Sequence, residues 1–188
     1  MNEIEQYFDN ASKSWDEMER SPRIKEYLYS LPLKEGMKVL DVACGTGIIT
    51  ETLYEIVKID IEAIDISSKM IEKAKINHPQ NYLHFFNKDF YQLQNKTYDA
   101  LIVFDAYPHF LDVTNFVKKS DQLLNDNGYL IILHDIGKKT LSEHHKGVNN
   151  ISRTLKDVDK EVEPFLKYFN PIKLEEDENH YLIILKKK

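Results

Sequence analysis

From Met37 onward, short apolar runs alternate with amphipathic stretches, and two further runs close the chain with no helix-length segment between them. Few folds are compatible with that rhythm. Val39–Val42, Ala63–Ile66, Tyr82–Phe86, Ala100–Phe104 and Tyr129–Leu133 are strand candidates. Ala100–Phe104 is continuously apolar, as suits a central parallel strand covered on both faces. Between them lie helical stripes: Ile49, Leu53 and Ile56; Met70, Ile71 and Ala74 after a Ser67 N-cap; Val113, Phe116, Val117 and Leu124. Strands alternating with helices predict an α/β chain with a parallel sheet and right-handed crossovers. Leu155, Val158, Val162, Phe165, Leu166 and Phe169 fit one more helix, kinked or restarted at Pro164. Pro171–Leu174 and Tyr181–Leu185 are then separated only by Glu175–His180, too little for a crossover, so they are expected to pair as an antiparallel hairpin.

The segment before this core reads as two helices. Ile4, Tyr7, Phe8, Ala11, Trp15 and Met18 recur at helical spacing, and Ile24, Tyr27, Leu28 and Leu31 repeat the stripe beyond Ser21-Pro22. At 188 residues the chain is expected to be one domain, with 1–33 a helical cap and 34–188 the core. Its 31 acidic against 25 basic residues give a net charge of −6. Backbone-gripping nucleic-acid proteins show a basic surplus or stripe, so nucleic acid is not expected as a partner. No apolar run approaches the ~20 residues of a membrane helix. The single cysteine, Cys44, and an N-terminus without signal-peptide character fit a reducing, cytoplasmic setting.

The chemistry concentrates in Val39-Leu40-Asp41-Val42-Ala43-Cys44-Gly45-Thr46-Gly47-Ile48-Ile49-Thr50, a strand leading through a glycine turn into a helix. Such a turn lets a ligand approach the backbone and meet free N–H groups. Thr50 stands where a dinucleotide fingerprint would carry its third small residue, so the NAD pattern is incomplete. Asp65 ends the second strand, where a carboxylate accepts hydrogen bonds from both hydroxyls of a ribose. Asp89 follows the third strand and could accept from an adenine amine, with Phe90 or Ile66 covering the ring. Three strand ends thus specify an adenosine, with no provision for a pyrophosphate.

Taken in order, these residues resemble the class I S-adenosylmethionine-dependent methyltransferases. Val39–Gly47 resembles the family's first motif, with Ala43 where glycine is frequent. Asp65 matches its ribose-binding acid and Asp89 its adenine-contacting acid. Tyr98–Phe104 resembles the fourth-strand motif, and Asn127-Gly128-Tyr129-Leu130 the turn into the fifth. The pattern is most similar to the broad group containing ubiquinone/menaquinone-type methyltransferases. The resemblance implies a Rossmann-like three-layer sandwich: a mostly parallel seven-stranded sheet ending in an antiparallel hairpin, with an N-terminal helical lid. It implies S-adenosylmethionine as cofactor and S-adenosylhomocysteine as product. The cofactor set is then Asp41, Ala43, Cys44, Gly45, Gly47, Asp65, Ile66, Met70, Asp89, Phe90 and Phe104. Asp41 orients the loop and the cofactor's amino group, and Gly45 and Gly47 run beside the methionine moiety. Cys44 is a lining residue rather than a nucleophile, because no histidine lies near it in sequence.

Ligands of open α/β sheets bind beyond the carboxyl ends of the strands, which puts the acceptor near residues after the fourth and fifth strands. Asp105, Tyr107 and His144, with Trp15 from the cap, are candidate substrate contacts. His109, His134 and His145 are candidate catalytic groups, and segment 137–151 is a candidate loop over the acceptor. The histidine spacing matches no zinc pattern, so no metal is expected. Methyl transfer from a sulfonium asks mainly for alignment, and a base is needed only when the accepting atom starts protonated with a high pKa. The expected activity is methylation of a small-molecule acceptor by a monomer or homodimer. The alternatives are a protein that holds S-adenosylmethionine or S-adenosylhomocysteine without turnover, a methyltransferase of macromolecules, and a nicotinamide oxidoreductase.

Overall fold

The structure, a computed structural model, describes residues 3–18, 20–144, 147 and 150–188. Seven strands form one mixed sheet, and the chain divides into two compact units, residues 1–94 and 95–188.

The first unit opens with α1 (Glu3–Ala11) and α2 (Ile24–Tyr29). The apolar stripe does not run to Met18 as one helix. α1 ends at Ala11, and Trp15–Glu17 form a separate 3₁₀ turn. Ser12 explains the break: its hydroxyl donates to the Asp9 carbonyl (2.8 Å), a local bond that competes with helix continuation. The core strands β1 (Val39–Val42), β2 (Ile61–Asp65) and β3 (Leu83–Asn87) pair in parallel in the order β3-β2-β1. The register sets Asp65 beside Asn87, so the carboxyl ends of β2 and β3 are level. All four residues of β1 are buried, Asp41 included. Between the strands run α3 (Thr50–Val57) and α4 (Ser68–Asn77). Ser67 caps α4 as expected, its Oγ accepting the Met70 N–H (3.1 Å).

In the second unit the strand order is β4-β5-β7-β6. β4 (Tyr98–Phe104) and β5 (Leu124–His134) are parallel, while β7 (Tyr181–Lys187) runs antiparallel to both β5 and β6 (Phe169–Glu176). The closing hairpin is therefore as predicted. α5 (Val113–Leu123) starts at Asp112, whose carboxylate accepts the Asn115 N–H (3.0 Å). Two expectations are corrected here: α5 stops at Leu123, so Leu124 already belongs to β5, and Asn127-Gly128 is not a turn ahead of the strand but lies within it, where the register slips from Tyr98↔Leu124 to Ala100↔Tyr129 and Asn127 takes φ 64.

The helix expected over 155–169 is a correction. Only Val158–Glu161 (α7) is α-helical; Pro164 falls in a 3₁₀ turn, Glu163–Phe165, and Phe169 already begins β6. Pro164 has no N–H for a helical ladder, and its ring crowds the turn before it. The apolar residues Leu155, Val162, Phe165 and Phe169 are nevertheless buried, so the pattern marked the core correctly while misnaming the backbone. Segment 137–151 contains a short helix, α6 (Lys138–His144).

Candidate functional site

β1 leaves its sheet through three left-handed residues in five: Ala43 (φ 56), Gly45 (φ 56) and Gly47 (φ 87). Alanine there costs ~1–2 kcal/mol relative to an ordinary conformation, so the turn holds strain next to its most polar residue. That residue is Asp41, 1% exposed. Thr50 Oγ1 donates to its Oδ2 (2.6 Å), while Oδ1 is buried with no hydrogen-bond partner among the described residues. Burial pushes the Asp41 carboxyl up to about 7, with Thr50 opposing the shift and the Asp65 charge adding to it. A buried acceptor without a donor is costly, typically ~1–3 kcal/mol, and calls for an explanation.

Asp65, at the end of β2, holds the turn from the other side. Gly45 N–H donates to its Oδ2 (2.9 Å) and Ser67 N–H to its Oδ1 (2.8 Å). Desolvation raises its carboxyl to about 6 against those two bonds. Each carboxylate oxygen accepts one backbone N–H and keeps a second lone pair. Asn87 locks the adjacent strand end by donating to the carbonyls of Asp65 (3.1 Å) and Ile66 (2.7 Å). Asp89 opens the 3₁₀ turn Phe90–Gln92, its Oδ1 accepting the Tyr91 N–H (2.9 Å). Ile66 is half-buried, whereas Phe90 and Met70 are buried. Cys44 is buried in the loop, and burial raises its thiol pKa, so it is a neutral lining group.

The N-terminal segment is latched onto this loop by residues that sequence inspection missed. Asp16 accepts from Thr46 Oγ1 (2.7 Å), and Asp9 accepts from Ser67 Oγ (2.6 Å) and Lys69 N–H (3.2 Å). Trp15 lies over Gly45: a β-carbon on that glycine would stand 3.2 Å from the indole Nε1. That Nε1 is buried without a hydrogen-bond partner among the described residues, a second open polar atom at the loop. The missed signals were short polar side chains, Thr46, Thr50 and Asn87, whose partners become visible only once the strand ends are aligned.

The second unit presents a different picture at the end of β4. Asp105 is also left-handed (φ 51), but its Oδ1 accepts the Asp135 N–H (3.1 Å) and stands 3.5 Å from His134 Nδ1. Phe104 is buried, and His134 and Tyr107, expected to face an acceptor, are fully buried. Tyr107 O–H donates to Glu161 (2.9 Å), which also pairs with Arg153 (2.8 Å) and accepts the Lys156 N–H (2.9 Å). His109 Nδ1 contacts the Ile151 carbonyl (2.8 Å). His144 is exposed at the end of α6, and His145 lies outside the described residues. Among the described residues no group of three or more His, Cys, Asp or Glu side chains could hold a metal ion.

Residues 15–158 match the family model of the methyltransferase domain. The chain belongs to the class I S-adenosylmethionine-dependent methyltransferase family. It is 32% identical over 145 residues to malonyl-[acyl-carrier protein] O-methyltransferase of Acetivibrio thermocellus, covering 76% of this chain and 50% of that protein. This methyltransferase chain thus spans about half the length of that curated relative. Among solved structures, a chain of the Haloferax volcanii complex between the Trm112 methyltransferase activator and a methyltransferase superposes with a TM-score of 0.80 at 16% identity, covering 100% of this chain and 98% of that one. The N-methyltransferase NodS of Bradyrhizobium japonicum, solved with S-adenosylhomocysteine, gives 0.71 at 14% identity, covering 99% of each chain. At those identities the likeness is one of fold.

Proposed function

We propose that this chain binds S-adenosylmethionine along the exit of β1 and transfers its methyl group to a small-molecule acceptor. The observation that carries the reading is Asp41 Oδ1, a buried acceptor with no donor among the described residues, set beside a strained glycine turn. An ammonium donor suits that oxygen better than a neutral one, since a charge-assisted bond offsets the cost of its burial. Asp65 would take the ribose hydroxyls on its remaining lone pairs, and Asp89 the adenine amine, with Ile66 against the ring. Gly45, Gly47 and Cys44 would line the methionine moiety beneath Trp15.

When bound, S-adenosylmethionine supplies a methyl group on a sulfonium and a neutral thioether as leaving group. What this chain contributes is alignment and exclusion of water, and orientation alone is worth ~7–11 kcal/mol. Asp105 is the residue we assign to the acceptor side. His134, being fully buried, would act on Asp105 as a positioning residue rather than touch the acceptor. The acidic balance, 31 against 25, supports a small acceptor over nucleic acid. We read residues 1–188 as a single methyltransferase domain with 1–33 as its cap, in a reducing cytoplasm that suits a lone buried thiol. No helix of the described residues is long and apolar enough to cross a membrane.

Calorimetric titration with S-adenosylmethionine, S-adenosylhomocysteine and NADH tests this. Binding of the two sulfur compounds, weakened in Asp41→Asn, is expected. NADH binding alone, or sulfur-compound affinity unchanged in that variant, would overturn the assignment.

A further inference from the structure

β3 is a terminal strand, paired with β2 along one side only. Natural sheets blunt such edges with proline, charge or a bulge, because an open row of backbone groups is a template for another strand. The other terminal strand, β6, carries these protections: Pro171, a register shift between Pro171 and Lys173, and the charges of Lys173, Glu175 and Glu176. β3 reads Leu83-His84-Phe85-Phe86-Asn87 and has no proline or acid. A groove of about 320 Å³ runs along it toward the end of α4, lined by Lys75, His78 and Phe86 among others. Phe86 is 36% exposed there.

The backbone direction is fixed by two bonds to β2: Ile61 N–H donates to the Tyr82 carbonyl (3.0 Å), and Lys88 N–H donates to the Asp65 carbonyl (3.0 Å). Even-numbered residues of β3 therefore turn their peptide groups inward, and Leu83, Phe85 and Asn87 turn theirs to the open edge, where the Leu83 N–H is already donated to the Gln80 carbonyl (3.2 Å) and its carbonyl, with the Phe85 peptide groups, is left for a new strand. We propose that a second copy of this chain adds to that edge, antiparallel and centred on Phe85, giving a two-fold dimer with a continuous sheet. The strand is self-complementary in that register. Phe85 faces itself as a hydrogen-bonded pair, and Leu83 faces Asn87. On one face His84 meets Phe86 and Tyr82 meets Lys88, so aromatic or cation–aromatic pairs repeat on both sides of the axis. Lys88 already shows that preference within its own chain, with Nζ 4.8 Å from the Phe86 ring centre. Asp89 would face Asn81, and no like charges oppose one another. A closed isologous interface requires this property, and a strand that accepted only unrelated partners would not. The seam backs onto the glycine loop, because a β-carbon on Gly47 would lie 3.0 Å from the Phe85 ring.

Sedimentation equilibrium of the full chain, from micromolar to sub-millimolar, tests the proposal. A concentration-dependent dimer is expected. Phe86→Lys sets an ammonium opposite His84 and beside Lys88, twice by symmetry, and should weaken the dimer about tenfold or more. Circular dichroism and the melting temperature of that variant report whether it folds, as its exposed position leads us to expect. Independently, a nitroxide on Asn81→Cys (Cys44 is buried and should not label) should give a spin pair separated by roughly 25–30 Å, eight strand residues across the axis. A wild-type monomer at all concentrations, a dimer indifferent to Phe86→Lys, or a spin separation outside that range would each overturn the interface.

Discussion

β1 and β4 leave the sheet by the same backbone device and then do opposite things with it. Each strand is followed at once by a non-glycine residue in the left-handed region, Ala43 at φ 56 and Asp105 at φ 51. Beyond Ala43 two polar atoms are left open: Asp41 Oδ1 and Trp15 Nε1 are buried without hydrogen-bond partners among the described residues. Beyond Asp105 more of them are engaged, although Arg153 Nη2 is buried without a hydrogen-bond partner among the described residues. Asp105 accepts the Asp135 N–H, Asp105 N–H donates to Leu133, and Tyr107, Arg153 and Glu161 close a buried network. Evolution tolerates a buried group without a partner where a ligand supplies one, and satisfies it internally where the group is architecture. The contrast supports the proposal of ligand binding at the first exit and makes chain organisation the role of much of the second.

Glu161→Ala gives the contrast its hardest test. It would leave Arg153 charged, and would strip the Tyr107 hydroxyl and the Lys156 N–H of their acceptor, in a site where Glu161 is 3% exposed. Removing one partner of a buried pair costs ~3–5 kcal/mol. Denaturant unfolding should show that loss, while the folded fraction binds S-adenosylmethionine with unchanged affinity. Loss of affinity in folded protein would mean the network is part of the binding site and the contrast is wrong. Gly47→Ala comes next. Its β-carbon would stand 2.8 Å from His78 and 3.0 Å from Phe85 at a φ of +87. Left-handed strain and overpacking together predict a loss of ~2–4 kcal/mol. Here stability and cofactor affinity should fall together, because the same residue shapes core and loop.

How much of this was readable beforehand divides along the same line. The strand ends of the first unit were legible because the residues proposed to face the ligand, Asp41, Asp65, Asp89, Gly45 and Gly47, stand singly at fixed offsets from a strand. Their partners were not. Thr50 was read only as a missing glycine, and its bond to Asp41 depends on helix phase. Asp9 and Asp16 reach the loop from a segment whose periodicity suggested one long stripe rather than a helix and a separate turn. In the second unit Tyr107 and His134 are placed near an acceptor by their position after the fourth and fifth strands, yet both are fully buried. Nothing local encodes that, since Glu161 and Arg153, the partners of Tyr107, and Tyr181, the ring beside His134, are distant in sequence and meet them only in the fold. The helix predicted over 155–169 failed for a related reason: burial periodicity survives in irregular chain when tertiary contacts set it.

Titration of Asp41 sharpens the first half of the comparison. Its carboxyl is raised from 3.8 to about 7, so below pH ~4 it is neutral in both folded and unfolded chains and costs nothing. As pH rises toward 7 the unfolded chain ionises first, and the ligand-free protein loses stability across that window. A cationic donor at Oδ1 reverses the preference. Binding should therefore release a proton, and affinity should climb with pH below 7, approaching tenfold per unit for one proton. Calorimetry in buffers of different ionisation enthalpy measures that proton directly. Asp41→Asn should flatten both trends and weaken binding ~10–100-fold, the range for a lost hydrogen bond to a charged group. Proton uptake on binding would remove the cation from Oδ1.

The smallest effect compares the two exits themselves. Ala43→Gly removes a β-carbon from a left-handed position and should stabilise the protein by ~0.5–1 kcal/mol, the relaxed strain being partly cancelled by a more flexible unfolded chain. Asp105→Gly meets nearly the same φ but also deletes the acceptor for the Asp135 N–H, so it should be neutral or destabilising by up to ~1 kcal/mol. Opposite signs at matched dihedrals would show that strain at β1 is uncompensated locally, while at β4 the side chain repays it. The cofactor affinity of Ala43→Gly then separates two meanings of that strain. Unchanged affinity makes it a residue of strand geometry, whereas weaker binding alongside higher stability would show that the alanine holds the loop in its binding conformation at the expense of the fold.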